Sequence, residues 1–204
     1  MSGAMRGNGD INDNPNDDFN GGINGGINGG IGGEIDEEVS AIIRELGLVP
    51  LPEEGGLYAE TYRSASVIPG GAIPGRHSSP RRCATAIYYL ITPERFSALH
   101  RVSSTEIFHF YLGDPVDMLQ LYPDGTGAHT TIGTDLLNGQ RPQVVVQRGV
   151  WQGTRLLPGG RYALLGCTVS PGFEFEDYEH GNRAGLTARY PAFAADIALL
   201  TPEG

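Results

Sequence analysis

The stretch with the most chemical potential is SALHRVSSTEIFHFYLG, residues 97–113, which holds two histidines and one glutamate among strand-forming residues. Side chains two residues apart in a strand share a face, so Glu106 and Phe108 are predicted to face the same way. His109 then points to the other face, although it is close to Glu106 in sequence. His100 precedes Glu106 across the turn-like segment VSST. If the flanking strands pair as a hairpin, the His100 imidazole meets the Glu106 carboxylate across the ladder.

The paired imidazole and carboxylate leave three interpretations open. Imidazole nitrogen and carboxylate oxygen are ligands that suit Zn, Fe, Mn or Ni about equally. Without a metal, a buried carboxylate raises the pKa of the imidazole and fixes its tautomer, which prepares it for proton abstraction beside a carbonyl. In the third interpretation, both are satisfied polar groups in a pocket that binds a ligand without turnover.

The elements that position this pair are short strands. Segments rich in Val, Ile, Tyr, Thr and Phe alternate with turn sequences such as YPDGTG, LNGQRP and LPGGR. About eight strands at this spacing predict an antiparallel sandwich or barrel, closed so that few strand edges remain. One amphipathic helix precedes them in EIDEEVSAIIRELGLVP, with Gly47 as its C-cap and Pro50 beyond it.

Length and charge restrict the class of protein. The chain has 204 residues and suits one domain, for which we predict residues 34–204, preceded by a disordered Asn/Gly-rich tail at 1–33. A net charge of −10 argues against a nucleic acid partner and against an anionic membrane surface. No apolar run approaches the ~20 residues of a membrane helix. The start MSGAMRGNGD is not typical of a secretory signal, so a cytoplasmic location is expected.

Several segments together resemble the uncharacterised type-5 cupin domain family. They are EEGGLYAETYRS, TAIYYLI, SALHRVSSTEIFHFYLGDPVDMLQLYPDG, GVWQG and GCTVSPGFEFEDYE, and they cover nearly the whole predicted domain. His100, Glu106 and Gly113 match the first cupin motif, in which Val102 replaces a second histidine. In the segment that matches the second motif, Gln152 stands where the family pattern has a histidine.

The resemblance implies an all-β fold, a double-stranded β-helix or jelly-roll cupin barrel with an N-terminal helix, generally assembled as a homodimer. It also implies a small-molecule ligand in the barrel mouth. His100 and Glu106 are the predicted catalytic residues. A divalent metal (Zn, Fe, Mn or Ni), if one is used, is assigned to His100, Glu106 and Gln152; a metal-free site is an equal alternative.

Aromatic side chains complete the predicted site. Tyr62, Tyr88, Phe108 and Phe110 are assigned to ligand binding, because small-molecule sites are commonly apolar cavities with a few convergent polar groups. The resulting hypothesis is isomerase-, epimerase- or lyase-like chemistry on a small carbonyl or sugar-like metabolite. The alternative is a cupin module that binds a ligand without catalysis, and the sequence leaves open whether the protein is an enzyme.

Overall fold

The computed structural model describes residues 37–201, so the predicted tail at 1–33 lies outside the described residues. The helices are α1 (Glu37–Leu46), α2 (Arg183–Arg189) and α3 (Ala194–Leu199), with 3-10 turns at Leu136–Asn138, Phe175–Asp177 and Pro191–Phe193. The strands are β1 (Val49–Pro50), β2 (Leu57–Arg63), β3 (Val67–Ile68), β4 (Arg81–Arg82), β5 (Thr85–Ile91), β6 (Ser97–Val102), β7 (Thr105–Gly113), β8 (Val116–Leu121), β9 (Gly127–Ile132), β10 (Gln143–Val146), β11 (Trp151–Leu156), β12 (Ala163–Ser170) and β13 (Tyr178–His180).

Two antiparallel sheets form the body of the domain. One has six strands in the order β1-β2-β5-β12-β7-β10, and the other has five in the order β13-β6-β11-β8-β9. Apolar side chains from both sheets, such as Tyr89 and Leu165 from one and Met118 and Ile132 from the other, belong to one buried cluster. The fold is therefore the predicted jelly-roll cupin barrel, with its core between the two sheets.

The predicted hairpin between His100 and Glu106 is wrong. β6 pairs with β11 and β13, whereas β7 pairs with β12 and β10, so the two strands belong to different sheets. The turn at Ser103–Ser104 carries the chain from one sheet to the other. Each of the two strands forms its hydrogen bonds with strands that are distant in sequence. His100 and Glu106 consequently approach each other across the interior of the sandwich.

Helix α1 covers the outer face of the six-stranded sheet. Val39 is buried in a cluster with Leu57, Leu90 and Leu164, which lie on β2, β5 and β12. The helix ends as predicted at Gly47, which has φ +62° and is followed by a bond from the Leu48 amide to the Ile43 carbonyl. This hydrogen bond across the C-cap is the Schellman arrangement, in which glycine avoids the cost of a left-handed backbone.

The C-terminal segment packs on the five-stranded sheet. Leu186 of α2 and Ile197 of α3 are buried with Leu99, Leu119 and Trp151. Within residues 37–201 no helix is long and apolar enough to cross a membrane.

Candidate functional site

Three buried side chains from three strands meet inside the barrel. His100 lies on β6, Gln152 on β11 and Glu106 on β7. The Gln152 amide nitrogen lies 2.8 Å from His100 Nε2 and 3.3 Å from Glu106 Oε2. The amide therefore bridges the imidazole and the carboxylate with its two hydrogens. The structure thus brings together the three residues assigned to catalysis and metal binding.

The orientation of the His100 ring is fixed by its second nitrogen. Nδ1 lies 2.8 Å from the carbonyl oxygen of Ala98, and a carbonyl oxygen only accepts, so Nδ1 carries a hydrogen. In the neutral ring, Nε2 accepts the hydrogen bond from Gln152. The ring also stacks on Tyr178, with centroids 5.1 Å apart. His100 is therefore held in one tautomer and one orientation.

Glu106 is the carboxyl group of this cluster whose pKa is raised by burial. Its side chain is buried, and this desolvation raises its pKa to about 7, although the nearby His100 and the Gln152 hydrogen bond act in the opposite direction. On its other side, Cys167 Sγ lies 3.8 Å from Glu106 Oε1. Burial also raises the pKa of the Cys167 thiol, so this cysteine is a poor nucleophile.

A second carboxylate, Glu54, belongs to the site and was missed in the sequence. Its Oε2 lies 3.7 Å from His100 Nε2, and its Oε1 accepts a hydrogen bond of 2.9 Å from Ser97. Glu54 precedes β2 in a loop, where strand periodicity gives no information about direction. The signal that points to it is the pair of glycines that follows in EEGG.

Those glycines hold the loop against the barrel. Gly56 is buried with φ +68°, and a Cβ at this position would lie 2.6 Å from the ring of Tyr89. A Cβ at Gly55 would collide with the carbonyl oxygen of Phe96. The Tyr89 hydroxyl donates to the Gly55 carbonyl at 3.1 Å. Close approach of the backbone to β5 therefore places the Glu54 carboxylate inside the barrel.

A cavity of about 280 Å³ opens beside these carboxylates. Glu54 and Glu106 line it together with apolar and aromatic side chains, among them Phe108, Tyr89, Phe173 and Phe175. His100 and Gln152 are buried and are not among the lining residues that define the cavity. Glu54 and Glu106 are thus accessible from the cavity, whereas the imidazole of His100 lies behind the lining.

The cavity is rich in negative charge. Glu60 and Glu174 line it in addition to Glu54 and Glu106, and Arg63 is the arginine in the lining. Both Glu60 and Glu174 are paired with Arg63, at 2.8 Å in each case. The positive charge of Arg63 is consequently compensated within the protein, and an anionic ligand would meet net repulsion.

The four residues assigned to ligand binding separate into two groups. Phe108 lines the cavity, and Phe110, on the same face of β7, packs against the core cluster beside it. Tyr62 is 55% exposed, because an irregularity in the pairing of β2 between Glu60 and Tyr62 reverses the alternation and brings Arg63 to the cavity instead. Tyr88 faces the outer side of its sheet, where it packs against the helix α1 cluster.

The same residues can be tested as a metal site. A ligand needs a lone pair, and Gln152 directs its amide nitrogen, which has none to offer, towards His100 and Glu106. Its Oε1 atom is buried and has no hydrogen-bond partner among the described residues. Residues 37–201 also contain no cluster of three or more His, Cys, Asp or Glu side chains suited to a metal ion. In this orientation of the amide, the oxygen of Gln152 does not face His100 and Glu106. The assignment of a metal to His100, Glu106 and Gln152 stays a prediction.

Comparisons with known proteins agree with this architecture. The sequence profile of the cupin superfamily family DUF985 matches residues 40–181. The chain is 32% identical over 133 residues to the uncharacterised protein YML079W of Saccharomyces cerevisiae, a match that covers 61% of this chain and 66% of the yeast protein. It therefore spans just under two thirds of the length of that relative.

Two solved structures are also similar. A hypothetical protein from Leishmania major superposes with a TM-score of 0.73 at 31% identity, covering 80% of this chain and 98% of that one. A protein from Shewanella oneidensis gives a TM-score of 0.70 at 31% identity, covering 81% and 98%. From the profile match and these likenesses, the chain belongs to the DUF985 family of the cupin superfamily.

Proposed function

We propose that this protein is an enzyme that moves a proton on a small, uncharged carbonyl or sugar-like molecule bound in the barrel cavity. The observation that carries the proposal is the placement of Glu106, a buried carboxyl at the cavity wall whose pKa is raised to about 7. A general acid–base group works best when its pKa lies near the working pH. This favours isomerase-, epimerase- or lyase-like chemistry.

The surrounding side chains have distinct roles in this proposal. Ionised Glu106 removes a proton from a carbon beside the carbonyl of the ligand and returns it to another atom of the same molecule. Gln152 donates to Glu106 Oε2 and so stabilises the ionised form. His100 accepts from the same amide nitrogen and holds it in place. Glu54, the second carboxylate in the cavity lining, contacts a polar group of the ligand.

The charge of the cavity supports the choice of an uncharged ligand. Its lining contains four glutamates and one arginine, Arg63, which already forms ion pairs with Glu60 and Glu174. Carboxylate- or phosphate-bearing substrates would be repelled by this surface. Aldoses, ketoses and hydroxyketones offer both the carbonyl and the hydroxyl groups that such a site can bind.

Proton transfer can be measured without knowing the product. Incubating the full chain with a panel of neutral aldoses, ketoses and hydroxyketones in D₂O should cause loss of the NMR signal of the hydrogen beside the carbonyl of one of them. Exchange should accelerate as the pH rises through about 7, because ionised Glu106 is the base. Glu106→Gln should slow exchange by a factor of roughly 100 or more.

A matched control is Glu45→Gln, which changes an exposed glutamate on α1 and should leave exchange unchanged. If a member of the panel binds with measurable affinity and exchanges no faster than in buffer, the protein is the non-catalytic binding module. If Glu106→Gln retains the wild-type exchange rate, another group is the base and the role given to Glu106 is wrong.

The metal alternative gives a separate prediction. Since Gln152 presents its amide nitrogen, the purified chain should hold well under one equivalent of Zn, Fe, Mn or Ni by elemental analysis. Gln152→His, which restores an imidazole at this position, should raise the bound metal towards one equivalent. A wild-type protein with one tightly bound equivalent that is lost in His100→Ala would contradict the metal-free site.

A further inference from the structure

A second concave site, of about 270 Å³, lies apart from the barrel cavity and shares none of its lining residues. We call it the arginine groove; it is lined by Arg76, His77, Arg101, Ser103, Arg148 and Glu179 among others. Its arginines come from three separate places, the loop before β4, strand β6 and the turn before β11. Three guanidinium groups thus line one depression, together with the carboxylates of Asp177 and Glu179.

Internal pairing leaves two of these arginines uncompensated. Arg101 donates to Glu179 through Nε at 2.8 Å and through a terminal nitrogen at 2.6 Å. Its guanidinium also lies over the ring of Trp151, 4.6 Å from the centroid. By contrast, Arg76 and Arg148 have no ion-pair partner among residues 37–201. Within the part of the chain that the structure describes, the groove therefore carries two guanidinium groups without a carboxylate partner.

The floor of the groove is a network of hydrogen bonds. His77 Nδ1 lies 3.2 Å from Asp177 Oδ1, and His77 Nε2 lies 3.3 Å from the hydroxyl of Ser104. Asp177 in turn accepts two hydrogen bonds from Arg81, at 2.8 and 2.9 Å. Arg81 also pairs with the exposed carboxylate of Glu176, so its charge is shared between two carboxylates. The direct partners of Asp177 are Arg81 and His77, and neither Arg76 nor Arg148 is among them.

The order Ser104, His77 and Asp177 is that of a hydrolase triad, but the serine is in the wrong place for that chemistry. Ser104 is 1% exposed and is not part of the groove lining, so no substrate in the groove reaches its hydroxyl. The chain of hydrogen bonds instead fixes the loop that carries Arg76. Likewise, the Gly149 amide donates to the Val102 carbonyl at 2.9 Å and anchors the turn that carries Arg148.

We propose that the arginine groove binds a small dianion of the phosphate type, with Arg76 and Arg148 contacting its oxygens. A guanidinium offers paired N–H donors in a fork that matches two oxygens of a phosphate. Two such groups held on anchored turns match the two charges of a phosphate or phosphate monoester. This site is independent of the function proposed for the barrel cavity, whose own charge disfavours anions.

The test is calorimetric titration of the full chain with inorganic phosphate at low ionic strength. Arg76→Gln and Arg148→Gln should each weaken binding roughly tenfold, since hydrogen bonds to charged groups have about twice the strength of neutral ones. The double variant should weaken it about 100-fold if the two contacts add. Raising the salt concentration should weaken wild-type binding, because exposed charges are screened.

Arg95→Gln is the control, because Arg95 lies in the turn between β5 and β6, outside the groove. Thermal unfolding of each variant verifies that it is folded. The proposal is overturned if the double variant binds phosphate within twofold of wild type, or if Arg95→Gln weakens binding as much as the groove variants. Titration with glycerol 3-phosphate distinguishes an organic phosphate ligand from free phosphate. Tighter binding of glycerol 3-phosphate than of phosphate indicates an organic phosphate ligand. Equal binding indicates that free phosphate alone accounts for recognition.

Discussion

Glu106→Gln is expected to gain stability relative to the wild type as the pH rises. The free energy of unfolding of the variant minus that of the wild type should increase by up to about 3 kcal/mol between pH 4 and pH 8. The folded pKa of Glu106 is raised to about 7, from an ordinary value of 4.5. Between these values the folded protein holds a proton that the unfolded chain has released. The free energy of unfolding of the wild type therefore falls as the pH rises through this window.

The glutamine variant has no carboxyl group at this position. Its free energy of unfolding therefore does not decrease through this ionisation at high pH. Chemical denaturation of both proteins at pH 4, 6 and 8 measures the difference, and comparing the two proteins cancels other titrating groups. Glu45→Gln, at an exposed position, should show no such pH-dependent difference. A constant difference between Glu106→Gln and the wild type across this range would mean that Glu106 titrates in the folded protein as it does in the unfolded chain.

Gly56→Ala is expected to lower the free energy of unfolding by roughly 2–5 kcal/mol, the sum of a left-handed backbone and an overpacked core. Gly56 has φ +68°, and the new methyl group would lie 2.6 Å from the ring of Tyr89. Relief of this clash has to move either the ring or the loop. Because the Tyr89 hydroxyl is bonded to Gly55, the displacement should also move the adjacent Glu54 carboxylate.

Gly159→Ala separates the two contributions. Gly159 has φ +86°, but a Cβ there meets no atom within 4 Å. It should lose only the backbone part, roughly 1–2 kcal/mol, and keep the exchange activity of the wild type. Equal losses of stability in Gly56→Ala and Gly159→Ala, measured by chemical denaturation, would show that contact with Tyr89 contributes nothing.

Much of the fold follows from local patterns in the sequence. The acidic first turn, the spacing of Val39, Ile42 and Ile43, and Gly47 were sufficient to predict α1. Alternation along β7 correctly grouped Glu106 with Phe108, since both line the cavity. These features depend on neighbours within a few residues, which a single sequence displays directly.

Pairing between distant segments could not be obtained in the same way. The proximity of His100 and Glu106 in sequence suggested a hairpin, whereas each strand pairs with a segment much farther along the chain. The direction of the Tyr62 side chain depends on an irregularity in the pairing of β2. The residue types in AETYRS do not predict that irregularity. Glu54 lies in a loop, where the direction of a side chain depends on tertiary contacts such as that of Gly56 with Tyr89.

Because His100 and Glu106 come from opposite sheets, their separation is set by the thickness of the packed layer between them. Gln152 spans that gap with a single amide nitrogen, at 2.8 Å on one side and 3.3 Å on the other. An amide has a fixed size, so it can serve both partners only at one spacing of the two walls. Core side chains between the sheets, such as Met118 and Ile132, therefore help to set the spacing of His100, Gln152 and Glu106 through their volume.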